Sequence, residues 1–463
     1  MANAVQRFDV ALVGFGFSGL ATLINLGRIP AQRDIAVIAP DVSGHGLAYG
    51  TRERSHLLNV VAKRMGAWAH DPEDFFNWVQ TPSGTAACRE LSIVPPGRDD
   101  FAPRALYARY LTELRGLAVH QIEALGGRIV WIREPAVSIA PAAESGWSIA
   151  TGQLELRADC CLLAVGNDIR HALGELRHPF LHKGPWELES IDPAHGDGPV
   201  VLIGSGLTAI DAVLRLRNVG YSGEVLALSR HGLLPRAHDH SLRSIHFEPE
   251  ELADIRSLPE VLRFVSGRHA AGLDWREIVD GLRPHTTTLW QRLSPADRRT
   301  AISNWSSIWS VHRHRMPPEV GARMADELAS GSLRVLSARD IVPQVEGGRL
   351  SLVLGSSEGS GQRIRPPAVI DCTGPQLDPR ASEQPLLRQL VRSGVCVRHD
   401  TGLGFAADRT HQVAPGLYAI GSLLTGELWE TIAVPELRRQ AATIAEAIAD
   451  RRAGDGTRPL RVA

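Results

Sequence analysis

Residues 8–19 read Phe8-Asp-Val-Ala-Leu-Val13-Gly14-Phe-Gly16-Phe-Ser18-Gly19. The first six form an apolar run of strand type, and a G-x-G-x-x-G turn follows at once. Residues 20–26 then read as a helix and residues 35–38, Ile-Ala-Val-Ile, as a second strand. Strand, glycine turn, helix, strand is the order that a bound dinucleotide requires. Gly14 makes the tight turn and Gly16 lets the backbone approach a pyrophosphate at the helix N-terminus. Gly19 lets helix and strand pack closely, and Ser18 lies in the same turn. The acidic residue that bonds the adenosine ribose belongs at the end of the second strand. Ala39 stands there, and Asp41 lies two residues further on. Either Asp41 reaches the ribose or that contact is absent.

A second such turn begins at Pro199. Residues 200–203 are the strand, Gly204-Ser-Gly206-Leu-Thr208-Ala209 the turn, 210–218 the helix and 224–228 the next strand. Ala209 replaces the third glycine, a tolerated variant. Gly204, Gly206 and Thr208 are candidate contacts. The strand runs out not into an acid but into Ser229-Arg230-His231. A hydroxyl and a cation suit a 2′-phosphate, which an acid would repel, so Ser229 and Arg230 point to NADPH. The plainer alternative for Arg230 is a solvated surface side chain. Two dinucleotide sites in one chain imply electron transfer between cofactors, with a nicotinamide giving a hydride and a flavin accepting it. FAD is assigned to the first site and NADPH to the second.

Further along, residues 159–167 and 368–375 are apolar strands that end at Gly166 and Gly374, where a backbone passes close to a ligand. Residues 416–422 form another strand, ending at Gly421. A segment carrying Glu430 and Thr431 follows, and a helix from about 435 to 452 closes the chain. The expected fold class is α/β, with two Rossmann-like dinucleotide-binding domains and a helical insert. Residues 1–178 are read as the first part of the FAD-binding domain and 365–463 as its C-terminal part. Residues 179–364 are read as the NADPH-binding domain, with the insert at about 249–330.

The bulk composition fits this reading. A chain of 463 residues is too long for one core. A net charge of -1 gives no electrostatic reason to expect nucleic acid or an anionic membrane as partner. The cysteines at 88, 160, 161, 372 and 396 form no C-x-x-C pair, so neither a dithiol redox motif nor a zinc site is signalled. Their sparse spacing fits a reducing, cytoplasmic compartment. Strand-like sequence from Phe8 leaves no room for a signal peptide, and no apolar run reaches the roughly 18 residues of a membrane span. The run His238-Asp239-His240 is too tightly spaced for a metal site. In the insert, Trp275, Trp290, Trp305 and Trp309 are expected to pack it against the body of the protein. Arg313, His314 and Arg315 either clamp a phosphate or carboxylate or form a charged surface turn.

Several longer blocks carry a family resemblance. They include Gly46-Leu-Ala-Tyr49-Gly-Thr51 with His56-Leu-Leu-Asn59-Val60, and Ala69-His-Asp71-Pro72-Glu-Asp-Phe75-Phe-Asn-Trp78. Others are Phe101-Ala-Pro103-Arg104-Ala-Leu-Tyr107, Ser229-Arg230-His-Gly-Leu-Leu-Pro235-Arg236-Ala-His238, Trp309-Ser-Val-His312-Arg313-His314-Arg315-Met316-Pro317 and Trp429-Glu430-Thr-Ile-Ala-Val-Pro435-Glu436-Leu-Arg438. Over nearly its whole length the chain resembles the bacterial FAD/NAD(P)-binding proteins related to flavin-dependent N-hydroxylating and Baeyer–Villiger monooxygenases. The resemblance implies that Asn59 and Val60 lie beside the isoalloxazine, with Lys63, Arg64 and Met65 on the same loop. Asn59 and Lys63 are then the candidates for contact with flavin or substrate, and Val137 joins the candidate cofactor contacts. The implied reaction is reduction of FAD by NADPH, formation of a peroxyflavin, and oxygenation of a small molecule at an amino nitrogen, the substrate being an amine or amino acid. Two other functions stay open: an NAD(P)H–FAD oxidoreductase serving a protein or quinone acceptor, and a non-enzymatic dinucleotide-binding sensor. No catalytic acid or base is identified.

Overall fold

Val10 to Val13 are buried without alternation, as in a strand covered on both faces. That strand is the middle of the first sheet. The computed structural model describes residues 5–455 apart from 169, 175, 185–187, 189–197, 244 and 356–361. In chain order it begins with β1 (Gln6–Val13), α1 (Phe17–Arg28), β2 (Asp34–Ile38), α2 (Gly46–Tyr49), α3 (Asp74–Val79), α4 (Pro82–Glu90) and α5 (Arg104–Ala124). Next come β3 (Arg128–Ile132), the hairpin of β4 (Ser138–Pro141) and β5 (Trp147–Ala150), and β6 (Glu155–Leu163). Then follow β7 (Leu181–His182), β8 (Val200–Ile203), α6 (Leu207–Asn218) and β9 (Val225–Ser229). The insert contributes α7 (Leu258–Ala270), α8 (Trp275–Leu282), α9 (Thr286–Arg292), α10 (Pro295–Thr300), α11 (Ser306–Arg313) and α12 (Pro318–Ala329). After it lie β10 (Leu333–Ser337), β11 (Ile341–Glu346), β12 (Arg349–Leu354), β13 (Gln362–Ile364) and β14 (Val369–Asp371). The chain closes with α13 (Pro385–Arg392), β15 (Gln412–Ala414), β16 (Leu417–Ala419), α14 (Thr425–Leu428) and α15 (Val434–Asp455).

These elements form two compact units. The first comprises residues 1–54, 60–168 and 376–463, and the second 55–59 and 169–375. In the first unit the strand order is β15-β16-β6-β1-β2-β3, with the β4–β5 hairpin attached to β6. β1 lies between β2 and β6 and is parallel to both, so strand order reverses at its C-terminal end. A dinucleotide binds at such a point. The first unit's sheet is packed by the core cluster of Phe8, Ala11, Val13, Ile38, Leu163 and Phe405. In the second unit the order is β10-β9-β8-β14-β7, all neighbours parallel, and β8 is the corresponding central strand.

The structure departs from the sequence expectation at three places, the first being residues 169–178, which are expected in the first domain and belong to the second unit, where the Ala172 N–H donates to Asp371. Residues 365–375 are expected in the returning FAD-binding part, but β14 pairs with β8 and β7 in the second sheet. A short buried strand carries no mark of which sheet it joins. Residues 55–59 are expected in the first domain, but they pack with the second unit. Leu57 lies against the second unit's core, and the buried His56 donates through Nε2 to the Asp211 carbonyl at 3.1 Å. Five residues are too few to show a periodicity. An antiparallel sheet of β11, β12 and β13 also follows the insert, between β10 and β14, where no separate element is expected from sequence. Among the described residues no helix is long and apolar enough to cross a membrane.

Candidate dinucleotide sites

In the first unit the glycine turn connects β1 to α1. Gly14 has φ +92°, and a Cβ there would stand 2.3 Å from the Ala164 carbonyl oxygen, just past β6. A Cβ on Gly19 would stand 2.5 Å from the Gly14 carbonyl oxygen. Both positions are therefore closed to side chains by backbone, which accounts for two of the three glycines by packing alone. Gly16 is different. It caps α1 with no side-chain acceptor, and the first helical turn carries no acid. Its Cα faces Gly46 Cα, which would lie 3.3 Å from an added Cβ. The N–H groups that open α1 have no side-chain cap, the arrangement that receives a pyrophosphate. The residues present fit a dinucleotide phosphate.

The C-terminal segments lie against this turn within the same unit. A Cβ on Gly421 would lie 3.8 Å from Ser18 Oγ, so that turn sits against the first turn of α1. Ser422 Oγ donates to the Gly166 carbonyl at 3.0 Å, joining two of the glycine-ended strands. Glu430 and Thr431 are buried, just after Trp429, whose φ of +64° is strained for a side-chain-bearing residue. Gln440 on α15 fixes this segment. Its Oε1 accepts from the Gly421 N–H at 2.9 Å and its Nε2 donates to the Thr431 carbonyl at 3.2 Å. Sequence reading missed Gln440, because a glutamine inside a helix carries no motif.

The loop of Val60 to Met65 is held from beneath. Val60 and Met65 are buried. Tyr107 on α5 donates to the Met65 carbonyl at 2.8 Å, and Arg438 on α15 donates to the carbonyls of Arg64 and Gly66 at 3.2 and 2.9 Å. Tyr110 accepts from the Ala67 N–H at 3.0 Å and donates to Asp74. Burial and the neighbouring Asp74 carboxyl push the Tyr110 phenol well above its ordinary pKa, so it stays a neutral donor. Lys63 is ion-paired with Asp99. Asn59 belongs to the second unit, where its carbonyl is engaged by His238. Val137 is exposed, and its N–H donates to the Ala150 carbonyl at 2.8 Å in the β4–β5 hairpin. Both carboxylate oxygens of Asp41 serve its own loop: one accepts from the Ser43 N–H at 2.9 Å, the other from Ser43 Oγ at 2.8 Å.

In the second unit Gly204 has φ +109°, and a Cβ there would stand 2.2 Å from the Cys372 carbonyl oxygen at the end of β14. Gly206 is exposed, caps α6 without a side-chain acceptor, and has nothing within 4 Å of an added Cβ. Its lack of a side chain is not demanded by protein packing, which fits a position kept open for a phosphate. Thr208 is half-buried in the first turn of α6, and Gly374 follows β14 with φ +81°. At the end of β9 the Ser229 hydroxyl accepts from the Gly232 N–H at 3.1 Å and is hydrogen-bonded to Ser205 Oγ at 2.8 Å. Ser229 therefore shapes the turn, while the Arg230 side chain is exposed at its tip.

The insert departs from expectation at two points. Arg313 and Arg315 are buried, and Arg315 pairs with Asp280 of α8, so they are no surface turn. Trp290 is buried as expected of a packing residue, but Trp305 is exposed on a π-helical turn.

The class these features define is an α/β protein with two dinucleotide-binding units. Residues 11–168 match a family model described as FAD-NAD(P)-binding. No curated protein sequence matches the chain. The fold is similar to that of an ornithine N-hydroxylase from Kutzneria sp. 744 with reduced FAD, NADP+ and L-ornithine, at a TM-score of 0.62 and 16% identity over 96% of this chain and 100% of that one. It is similar to an L-lysine 6-monooxygenase from Pseudomonas syringae, at a TM-score of 0.60 and 17% identity over 96% of this chain and 99% of that one. A bacillithiol disulfide reductase from Staphylococcus aureus gives a TM-score of 0.56 and 13% identity over 96% of this chain and 99% of that one.

Proposed function

We propose that this chain is an NADPH-dependent flavin monooxygenase that oxygenates a small molecule at an amino nitrogen. Two glycine turns, each opening a helix at the C-terminal edge of its own parallel sheet, support paired FAD and NADPH sites. The observation that carries the choice of reaction is the state of the cysteines. None of the five forms a disulfide, and all are buried. Burial raises the thiol pKa of Cys88, lifts Cys396 to about 12, and pushes Cys161 and Cys372 far up. The thiolate is the reactive form in disulfide exchange, and burial disfavours it at these four cysteines. That argues against disulfide reduction, the activity named for one structural neighbour, and for the hydroxylase chemistry named for the two others.

Bound FAD would supply the redox chemistry, from hydride acceptance to oxygen activation. The chain's own part is to position the reactants and exclude water. Purified protein with FAD is expected to oxidise NADPH with consumption of oxygen, faster with a primary amine such as ornithine or lysine. Rapid turnover without oxygen, with an artificial electron acceptor, would move the assignment to a reductase serving a quinone or protein. FAD bound but never reduced by NADPH would make the chain a sensor.

A further inference from the structure

The first site lacks the carboxylate that usually holds an adenosine ribose. Ala39, at the end of β2, is buried and its N–H donates to the Ile132 carbonyl at 3.0 Å. The next acid in sequence, Asp41, accepts from Ser43 with both oxygens. A different group stands beside the turn. Trp131 pairs in register with Val37, one residue before the end of β2, and its ring meets Phe15 of the glycine turn edge-on at 5.2 Å. The Arg115 guanidinium of α5 lies 4.6 Å above the Trp131 ring. One helical turn earlier, Thr112 Oγ1 is hydrogen-bonded to His45 Nε2 at 2.9 Å. His45 follows Ser43, whose Oγ accepts its N–H at 3.1 Å. A continuous set of contacts therefore runs from the end of β2 through Asp41, Ser43, His45 and Thr112 to the helix face that carries Arg115. The Arg115 side chain is half-buried, and its Nε is buried with no hydrogen-bond acceptor among the described residues. A guanidinium seated over an indole face is held by the ring's negative face and keeps its N–H groups as donors.

We propose that Arg115, seated on Trp131, holds the adenosine half of the dinucleotide in the first unit, in place of the missing carboxylate. This rests on the reading of the first unit as the FAD site. The chemistry of recognition changes sign. A carboxylate accepts hydrogen bonds from the ribose hydroxyls and repels a 2′-phosphate. A guanidinium donates to the hydroxyl oxygens and attracts a phosphate. The first site of this chain therefore tolerates a phosphate on the adenosine 2′-oxygen.

The test measures FAD binding to the apoprotein by quenching of flavin fluorescence. Arg115→Ala, which removes a charge-assisted contact, and Trp131→Ala, which removes the ring that seats it, are each expected to weaken FAD binding by about tenfold or more. Asp41→Ala is expected to cost less than either. Should the variants fold poorly, the wild-type chain gives an independent measurement. Adenosine 2′,5′-bisphosphate is expected to displace FAD at least as well as AMP. The affinity of the wild-type chain for FAD reports on the cofactor reading itself. A chain that binds FAD, loses about twofold or less on Arg115→Ala, and is displaced by AMP about tenfold better than by the bisphosphate overturns this proposal and leaves the cofactor reading standing.

Discussion

His238 Nε2 donates to the carbonyl of Asn59 at 3.2 Å, and this bond fixes the five-residue segment 55–59 to the second unit at its C-terminal end. At its other end Ser55 Oγ accepts from Asn218 Nδ2 at 2.6 Å. A carbonyl can only accept, so Nε2 carries the proton. Burial lowers the His238 pKa to about 4, and the positive charges of Arg315 and His240 act in the same direction. The bond to Asn59 and the Asp280 carboxylate oppose them and lose. His238 is therefore neutral in the folded chain at neutral pH.

A pH dependence of stability follows. Above the ordinary histidine pKa of 6.5, His238 is neutral in both folded and unfolded chains and contributes no slope. Between 6.5 and about 4 the unfolded chain takes up a proton that the folded one refuses, so stability falls as pH falls through that window. The slope from this group is at most about 1.4 kcal/mol per pH unit. His238→Gln keeps a donor for Asn59 and removes the titration. Urea midpoints measured across the window are expected to slope less steeply for this variant than for the wild type. Identical slopes would show that the bulk of the acid sensitivity lies elsewhere.

Gly204 and Gly206 separate folding from binding. Gly204→Ala would place a Cβ 2.2 Å from backbone at a φ of +109°, with no flexible side chain to give way. It is expected to destabilise the second unit by about 3 kcal/mol or more, seen as a lowered melting temperature. Gly206→Ala meets nothing within 4 Å, at a φ of -79° that any residue adopts. Its cost in stability is expected to be about 1 kcal/mol or less, that of a poorer helix cap. Its nicotinamide dinucleotide affinity is expected to fall by about tenfold, because the methyl group occupies the space where a pyrophosphate meets the turn. Normal NADPH binding by Gly206→Ala would remove this turn from the site.

Both glycine turns were legible in the sequence because local order alone specifies them: an apolar strand, fixed glycine spacing and a helix within about thirty residues. What lay beyond reading depended on contacts between distant residues. Gln440 clamps Gly421 and Thr431 from a helix that begins well after the first of them. Tyr107 and Arg438 support the Met65 loop from opposite ends of the chain. The Trp131 and Arg115 pair sits on a strand and a helix with no shared spacing. Lys63 and Asp41 looked available in sequence, but one is paired with Asp99 and the other is turned back on Ser43. The short Asp41 side chain finds a local partner before it reaches a ligand, whereas Lys63 is taken by an acid that only the fold brings near.

Arg230 tests the coenzyme assignment. It stands exposed at the tip of β9, while the neighbouring Ser229 hydroxyl is committed to Gly232 and Ser205. Arg230→Ala is expected to raise KM for NADPH by about tenfold, the loss of a charge-assisted contact to a 2′-phosphate, and to leave KM for NADH nearly unchanged. Ser229→Ala, which disturbs the turn, is expected to affect both coenzymes alike. An Arg230 variant that weakens NADPH and NADH equally would return this residue to the solvated surface.

The cysteines provide the last test, and it bears on the reaction itself. Because Cys88, Cys160, Cys161, Cys372 and Cys396 are all buried, a thiol reagent is expected to find none of them in the folded chain and all five after denaturation. Reactivity requires both access and a thiolate, and burial opposes each. NADPH oxidation by protein treated with excess alkylating reagent is therefore expected to match that of untreated protein. A flavoenzyme that passes electrons to a disulfide must expose a nucleophilic sulfur at some stage of turnover. The treatment should accordingly be repeated while NADPH is being consumed. If a single thiol becomes reactive only then, and its alkylation halts turnover, the chain works as a thiol–disulfide reductase and the oxygenase assignment fails. If oxygen consumption continues unchanged, the flavin chemistry proceeds without sulfur, in keeping with the burial of every cysteine.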